Sequence, residues 1–294
     1  MPELPDLAIL ADALDTALAG RPLLAAATPQ SLILRGTPAE LDAYRGQRLV
    51  EARRRGKFLI FQFERDRMVL NAMLTGRIGL AVPGTKPLAN TAAVLTFGAR
   101  ESDQPTGRTR QAASWLTGAG WLPNADASVE MRYRDSTRMG KLYLLPSGIG
   151  RAVAGWDDQG PEADNPELTL DEWRSRIRRH TGELKNLLRK QEFVSGIGNA
   201  YSDEILWAAR LAPSRTRSSL AADEVDALYF STREVMSWAI EELRRLVPPR
   251  LEVEQRKFLK VHGKGGQPCP RCGTRISEIS AGGFVVNWCR GCQR

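Results

Sequence analysis

The stretch Cys269–Cys292 reads CPRCGTRISEISAGGFVVNWCRGC and contains all four cysteines of the 294-residue chain. They form two pairs, Cys269-x2-Cys272 and Cys289-x2-Cys292, with 16 residues between them. Paired thiolates at such a separation suit one tetrahedral Zn²⁺ held on a small β-hairpin. Two disulfides are disfavoured in a reducing compartment, and a redox pair has no need of a second CxxC. Four thiolates fill the coordination sphere of zinc. The expected cofactor is therefore one structural Zn²⁺ per chain, with Cys269, Cys272, Cys289 and Cys292 as its ligands and no catalytic part.

Charge gathers around this finger. From Arg250 to the C-terminus nine Lys/Arg residues, Lys264 among them, face three Glu, which is +6 of the net +8. A second cluster, Arg53, Arg54, Arg55 and Lys57, lies far away in sequence. Such a distribution points to a polyanionic partner, although basic faces are also common without one. No run approaches about 18 apolar residues, so no membrane span is expected. The N-terminus, MPELPDLAIL, carries acids where a secretory signal would carry Lys or Arg, and the protein is read as intracellular.

Upstream of the finger the patterning changes twice. Leu7, Leu10, Leu14 and Leu18 recur at helical spacing until Gly20, which predicts a helix directly behind the N-terminus. Short apolar or β-branched runs follow at Ser31–Arg35, Leu49–Arg53, Phe58–Phe63, Met68–Leu74, Ala93–Phe97 and Leu142–Leu145. Turn-formers separate them, as in an antiparallel sandwich or barrel. Residues 99–130, rich in Gly, Ser and Thr, read as a loop-rich insertion. The stretch GWDDQGPEADNP at 155–166 has linker composition. Beyond it the period is helical over Leu170–His180, Glu183–Phe193, Ala200–Leu211 and Ala221–Leu246, ended by Pro248-Pro249. The expected organisation is a catalytic β-sandwich domain at 1–154, a linker at 155–166, a helical domain at 167–262 and the finger at 263–294.

Two short motifs carry chemistry. Gly196-Ile197-Gly198-Asn199 falls between two predicted helices, where backbone N–H groups and a helix N-terminus can receive a phosphate. An ordinary tight helix–helix turn needs glycine too. At the other end, the small Pro2 permits removal of Met1, leaving a secondary amine able to attack a sugar anomeric carbon and form an iminium ion. Glu3 beside it is placed for general acid or base work.

Together the start Pro2-Glu3-Leu4-Pro5, the stretch QEFVSGIGNAYSDE at Gln191–Glu204 and the terminal four-cysteine finger resemble the formamidopyrimidine-DNA glycosylase/endonuclease VIII family, over nearly the whole chain. The resemblance implies an α+β fold: an N-terminal antiparallel β-sandwich, a helix–two-turns–helix domain and a zinc-finger β-hairpin. It implies a bifunctional DNA-repair glycosylase and abasic-site lyase. Such an enzyme excises a damaged base through a proline Schiff base and cuts the strand by β- and then δ-elimination. By position, Pro2 resembles the nucleophile, Glu3 the acid that assists sugar-ring opening, and Lys57 the lysine that meets the backbone near the lesion. Asn199, with turn amides such as that of Gly198, resembles the phosphate-binding asparagine. Arg138 resembles the arginine that fills the space opposite the estranged base. Met73-Leu74-Thr75-Gly76 aligns with the turn that wedges into the stack, which puts Leu74 at its tip. The implied partner is damaged double-stranded DNA, bound by a monomer in the cytoplasm and, in a bacterium, at the nucleoid.

The departures bear on specificity. Asp6 stands where Glu is usual, Met139 where a wedge phenylalanine is common, and Phe284 where the finger carries a phosphate-clamping arginine. Residues 247–260, VPPRLEVEQRKFLK, lack the glycine-rich loop of the purine-specific branch. The chain is therefore expected not to be specialised for 8-oxoguanine. Two other classes remain: a DNA-damage binder that has lost turnover, and an RNA- or ribosome-associated module. Neither explains a preserved terminal Pro2-Glu3.

Overall fold

The computed structural model describes residues 1–100, 113–281 and 283–294, which divide into two compact units. One comprises Met1–Pro2, Asp6–Ala154 and Leu243–Glu254; the other comprises Glu3–Pro5, Gly155–Glu242 and Gln255–Arg294.

Helix α1 (Leu4–Leu18), which lies in the first unit from Asp6 on, buries Leu7, Leu10, Leu14 and Leu18, the stripe its spacing foretold. Among the described residues nine strands follow: β1 (Leu23–Ala27), β2 (Leu34–Arg35), β3 (Leu49–Arg55), β4 (Phe58–Phe63), β5 (Arg67–Asn71), β6 (Arg77–Ala81), β7 (Thr91–Phe97), β8 (Val129–Arg134) and β9 (Lys141–Leu145). Between β2 and β3 lies the short helix α2 (Pro38–Asp42), started by a capping box of Thr37 and Glu40. The strands form one sheet in the order β1-β7-β8-β6 and another in the order β2-β9-β5-β4-β3, antiparallel but for the β2–β9 pair. Phe63 from one sheet stacks on Phe97 from the other at 6.4 Å, so apolar alternation buries both inner faces. Arg21 is fully buried, and its guanidinium donates to the carbonyls of Ala17, Gly98 and Asn124, which makes burial of the charge tolerable.

Three expectations are corrected here. Ser31–Arg35 is mostly a single 3-10 turn at Ser31–Ile33, with only Leu34–Arg35 in a strand. The strand expected over Met68–Leu74 ends at Asn71, whose side-chain oxygen accepts from the Met73 amide and turns the chain. Of the insertion at 99–130, residues 101–112 lie outside the described residues; residues 113–128 carry one short 3-10 turn, and β8 begins at Val129.

The second unit is built on α3 (Leu170–Ile177), α4 (Leu184–Arg189), α5 (Asn199–Ala208) and α6 (Ala222–Leu246), the last of which ends in the first unit. Trp173 is its core, edge-on to Phe193 at 4.8 Å and to Tyr229 at 5.8 Å. Helix α4 stops at Arg189, short of the expected Phe193. Gln191 folds back there, donating to Ile197 O and accepting from the Gly196 amide. The finger is the antiparallel hairpin β10 (Ile276–Ala281) and β11 (Phe284–Cys289), with Ile276 opposite Cys289. Among the described residues no helix is long and apolar enough to cross a membrane.

Candidate functional site

The finger supplies the metal centre. The four sulfurs of Cys269, Cys272, Cys289 and Cys292 lie within 4.8 Å of one another, with Cys269–Cys292 at 3.7 Å and Cys272–Cys289 at 3.5 Å. A tetrahedron with Zn–S bonds of about 2.3 Å separates its sulfurs by about 3.8 Å, so the set fits one structural Zn²⁺. Trp207 on α5 donates its indole N–H to Cys269 Sγ, and Arg271 stacks on that indole at 4.0 Å. The finger is thus anchored to the helix beside it. Lys264 lies at the finger's base, its ammonium donating to Lys257 O at 3.0 Å.

The glycine turn in the same unit is occupied from within the chain. The Glu3 carboxylate accepts from the amides of Gly198 at 2.6 Å, Ala200 at 2.8 Å and Tyr201 at 3.3 Å, at the N-terminus of α5. Both glycines are required for this approach. A Cβ on Gly198 would sit 2.4 Å from Glu3 Cδ, and Gly196 has φ +100° with Leu4 2.6 Å from any Cβ it carried. The Gly198 amide, expected to meet phosphate, serves Glu3 instead, because a carboxylate of the same chain already complements the helix end. Asn199 gives its amide N–H to Val285 O at 2.9 Å on the finger, while its Oδ1 is buried with no partner among the described residues.

Below the turn lies a polar network that the sequence reading did not find. Asp203 pairs with buried Lys185 and accepts from His262 Nδ1 at 2.8 Å and from the Asn287 amide at 3.2 Å. Burial pulls the Lys185 pKa down, against the pull of Asp203. Glu204 accepts from the amides of Lys260, Val261 and His262 at 2.8–2.9 Å, and burial drives its pKa up. Two adjacent acids thereby hold α5, the segment 260–262 and the finger strand together.

In the first unit, strand register gathers the other candidates. Phe58 pairs with Asn71, and Asn71 with Lys141. The residues just outside these pairs share one end of the sheet: Lys57 in the Gly56-Lys57 turn, Leu74 in the 72–76 loop, and Arg138 in the 135–140 loop. Leu74 is 50% exposed, at a tip and not in the core, with Met139 similarly exposed at 48%. Asp135 braces the two loops: it accepts from Thr75 Oγ1 at 2.5 Å, the Thr137 amide at 3.1 Å and the Gly140 amide at 2.7 Å. Burial opposes the charge on Asp135, but these donors prevail and hold its carboxyl below the usual range.

Pro2 is buried in this unit against a cavity lined by Asp6, Leu10, Gly76, Arg77, Leu251 and Glu254, among others. The amine of Met1 lies 3.6 Å from Glu254 Oε1, and Arg77 pairs with the same carboxylate. Arg77 and Glu254 carried no motif; only the fold brings residue 254 to the N-terminus.

Comparison with known proteins agrees with this layout. The formamidopyrimidine-DNA glycosylase N-terminal domain model matches residues 1–142, the formamidopyrimidine-DNA glycosylase H2TH domain model matches 159–246, and the model of the zinc finger found in FPG and IleRS matches 266–294. The formamidopyrimidine-DNA glycosylase of Thermomicrobium roseum is 32% identical over 307 aligned positions, covering 100% of this chain and 99% of its own. That of Heliobacterium modesticaldum is 29% identical with full coverage of both. In fold, the chain is similar to Lactococcus lactis Fpg solved with abasic-site DNA (TM-score 0.79, 22% identity, 99% of each chain) and to a variant of that protein solved with Fapy-dG-containing DNA (TM-score 0.80, 22% identity, 100% of each chain). With its N-terminal sheets, H2TH helices and four-cysteine zinc finger, the chain belongs to the formamidopyrimidine-DNA glycosylase family.

Proposed function

We propose that the protein is a bifunctional glycosylase and abasic-site lyase acting on damaged double-stranded DNA as a monomer, with Pro2 as its nucleophile. The observation that carries this reading is the setting of two consecutive residues. Pro2 is buried at a mostly apolar cavity whose charged lining is Asp6, Arg77 and Glu254, and Glu3 is fixed by three backbone amides.

Once Met1 is removed, the Pro2 lone pair bonds to the anomeric carbon as the glycosidic bond breaks and the base leaves. Glu3 donates a proton to the ring oxygen as the sugar opens to an iminium. Loss of the neighbouring carbon-bound proton expels the 3′ phosphate, a second elimination expels the 5′ phosphate, and hydrolysis frees Pro2. Lys57, Leu74 and Arg138 meet the DNA from one sheet end, Leu74 as the wedge that replaces a flipped base. Asn199, with Lys264 and the basic finger, holds the backbone, and the zinc holds the finger. In domain terms, residues 1–154 carry the nucleophile and lesion contacts, 155–166 join them to the helical grip at 167–262, and 263–294 form the finger. The natural substrate is chromosomal DNA, in a bacterium the nucleoid.

Residues 247–260 supply Leu251, Val253 and Glu254 to the Pro2 cavity and lack a glycine-rich cover. We therefore expect poor excision of 8-oxoguanine opposite cytosine and faster release of ring-opened purines or oxidised pyrimidines. Analysis of strand ends from an abasic duplex tests the reading. Phosphate left at both margins of the gap is expected, and an intact strand would refute it.

A further inference from the structure

We propose that Arg189 is a DNA-phosphate ligand of this protein, presented to the backbone by stacking on Phe284. The proposal rests on the function read above and adds a residue to its binding surface. Arg189 ends α4, and its guanidinium carbon lies 3.8 Å from the centre of the Phe284 ring. The ring is 39% exposed, so it holds the cation at the surface.

Nearby arginines are engaged by acceptors: Arg174 with Asp226, Arg176 with the carbonyls of Glu192 and Phe193, Arg215 with Glu224. Among the described residues the Arg189 guanidinium has no hydrogen-bond acceptor or carboxylate partner. Stacking uses the face of a guanidinium and leaves its N–H edge free, the geometry that suits a phosphate fork.

Position strengthens the case. Asn199 bonds to Val285, the residue after Phe284, so Arg189 and Asn199 touch consecutive residues of β11. Burial pulls the Arg189 pKa down, against the attraction of Glu3 and Asp203. The amides of Gly198, Ala200 and Tyr201 all serve Glu3. An incoming phosphate at this turn therefore finds these three amides already taken, and Arg189, which has no acceptor among the described residues, is a cation available to it. Arg189 itself lines a cavity of about 420 Å³ together with Glu183, Lys185, Asn186, Phe284 and Trp288. Phe284 stands where the family finger carries an arginine, so the positive charge enters from α4 and the finger supplies the platform.

The test uses the full zinc-loaded protein and a duplex holding a tetrahydrofuran abasic analogue that cannot be cleaved. Arg189→Met should weaken binding about tenfold, the effect of one charged hydrogen-bonded contact. It should also lower the slope of log K against log salt by about 0.9. Lys190→Met, one residue on, should change affinity less than twofold. Phe284→Leu should weaken binding less than Arg189→Met, and Arg189→Met with Phe284→Arg should recover most of the loss and restore the slope. Unchanged affinity and slope in a folded Arg189→Met protein would overturn the proposal, as would equal losses from Arg189→Met and Lys190→Met. Failure of the catalytic reading shows differently: wild type would bind this duplex normally yet form no covalent adduct with a natural abasic site.

Discussion

The glycine turn at 196–199 and the loop pair at 72–76 and 135–140 both present candidate DNA contacts, yet they are held by opposite means. The turn sits on buried ionic groups: Glu3, Lys185, Asp203 and Glu204 are all at most 4% exposed, and their partners include backbone amides, the His262 imidazole and one another. The loops hang from a single carboxylate, Asp135, and their tips at Leu74, Arg138 and Met139 stand in solvent. Buried polar networks fail as a unit, because each broken bond strands a desolvated partner. Exposed tips can change without that cost. Damage to the second unit should therefore remove stability and binding together, whereas damage to the loop tips should alter handling of the lesion alone.

The largest effect should follow Cys292→Ser. With three thiolates the zinc is lost, the hairpin that Trp207 anchors unfolds, and Asn287 no longer meets Asp203. Metal analysis should fall from one zinc per chain toward none, with most DNA affinity gone; metal-free protein that binds and cuts like the holo form would break the comparison. Next comes Gly198→Ala, whose methyl has no space 2.4 Å from Glu3 Cδ. It should cost about 1–3 kcal/mol in thermal or denaturant unfolding, and strand scission should drop because Glu3 is displaced. Full stability with full activity would show that the turn tolerates a moved Glu3.

In the loops, Leu74→Ala should leave zinc content and melting temperature unchanged. Single-turnover base excision should slow about tenfold, the loss of roughly 1.4 kcal/mol of wedge stabilisation, while abasic DNA is still cut at the wild-type rate. Equal slowing on both substrates would deny the wedge role. The smallest effect is expected from Asp135→Asn. A carboxyl held low in the folded state adds stability that is present above its unfolded value, near 3.8, and is lost as pH falls through the folded one. The melting-temperature gap between wild type and Asp135→Asn should stay constant from neutral pH to about pH 5 and close only in stronger acid. A gap that widened toward acid would contradict the bracing role of the ionised carboxylate.

What the sequence made legible follows from how local each signal is. The four cysteines, the leucine stripe of α1 and the long period of α6 are complete within their own segments, and each is found where its spacing put it. β1, LLAAA, has no β-branched residue, β6 contains Gly79, and β8, though it alternates buried and half-buried residues, begins in the last two residues of a stretch read as loop and carries three charged residues among its six. The site was half legible for a similar reason. Pro2, Glu3, Lys57 and Asn199 announced themselves by motif, but Asp203 and Glu204 gave no sign that they brace the finger. Arg189 and Phe284 are 95 positions apart, and only the packing of β11 beside α4 joins them.

The central claim is that the amine of Pro2 bonds to the sugar. Protein lacking Met1 should be incubated with an abasic duplex, reduced with borohydride, digested and mapped by mass spectrometry. The expected result is a single DNA adduct on the N-terminal peptide, at Pro2, with protein that retains Met1 giving none. An adduct on Lys57 or another lysine, with Pro2 unmodified, would contradict the account.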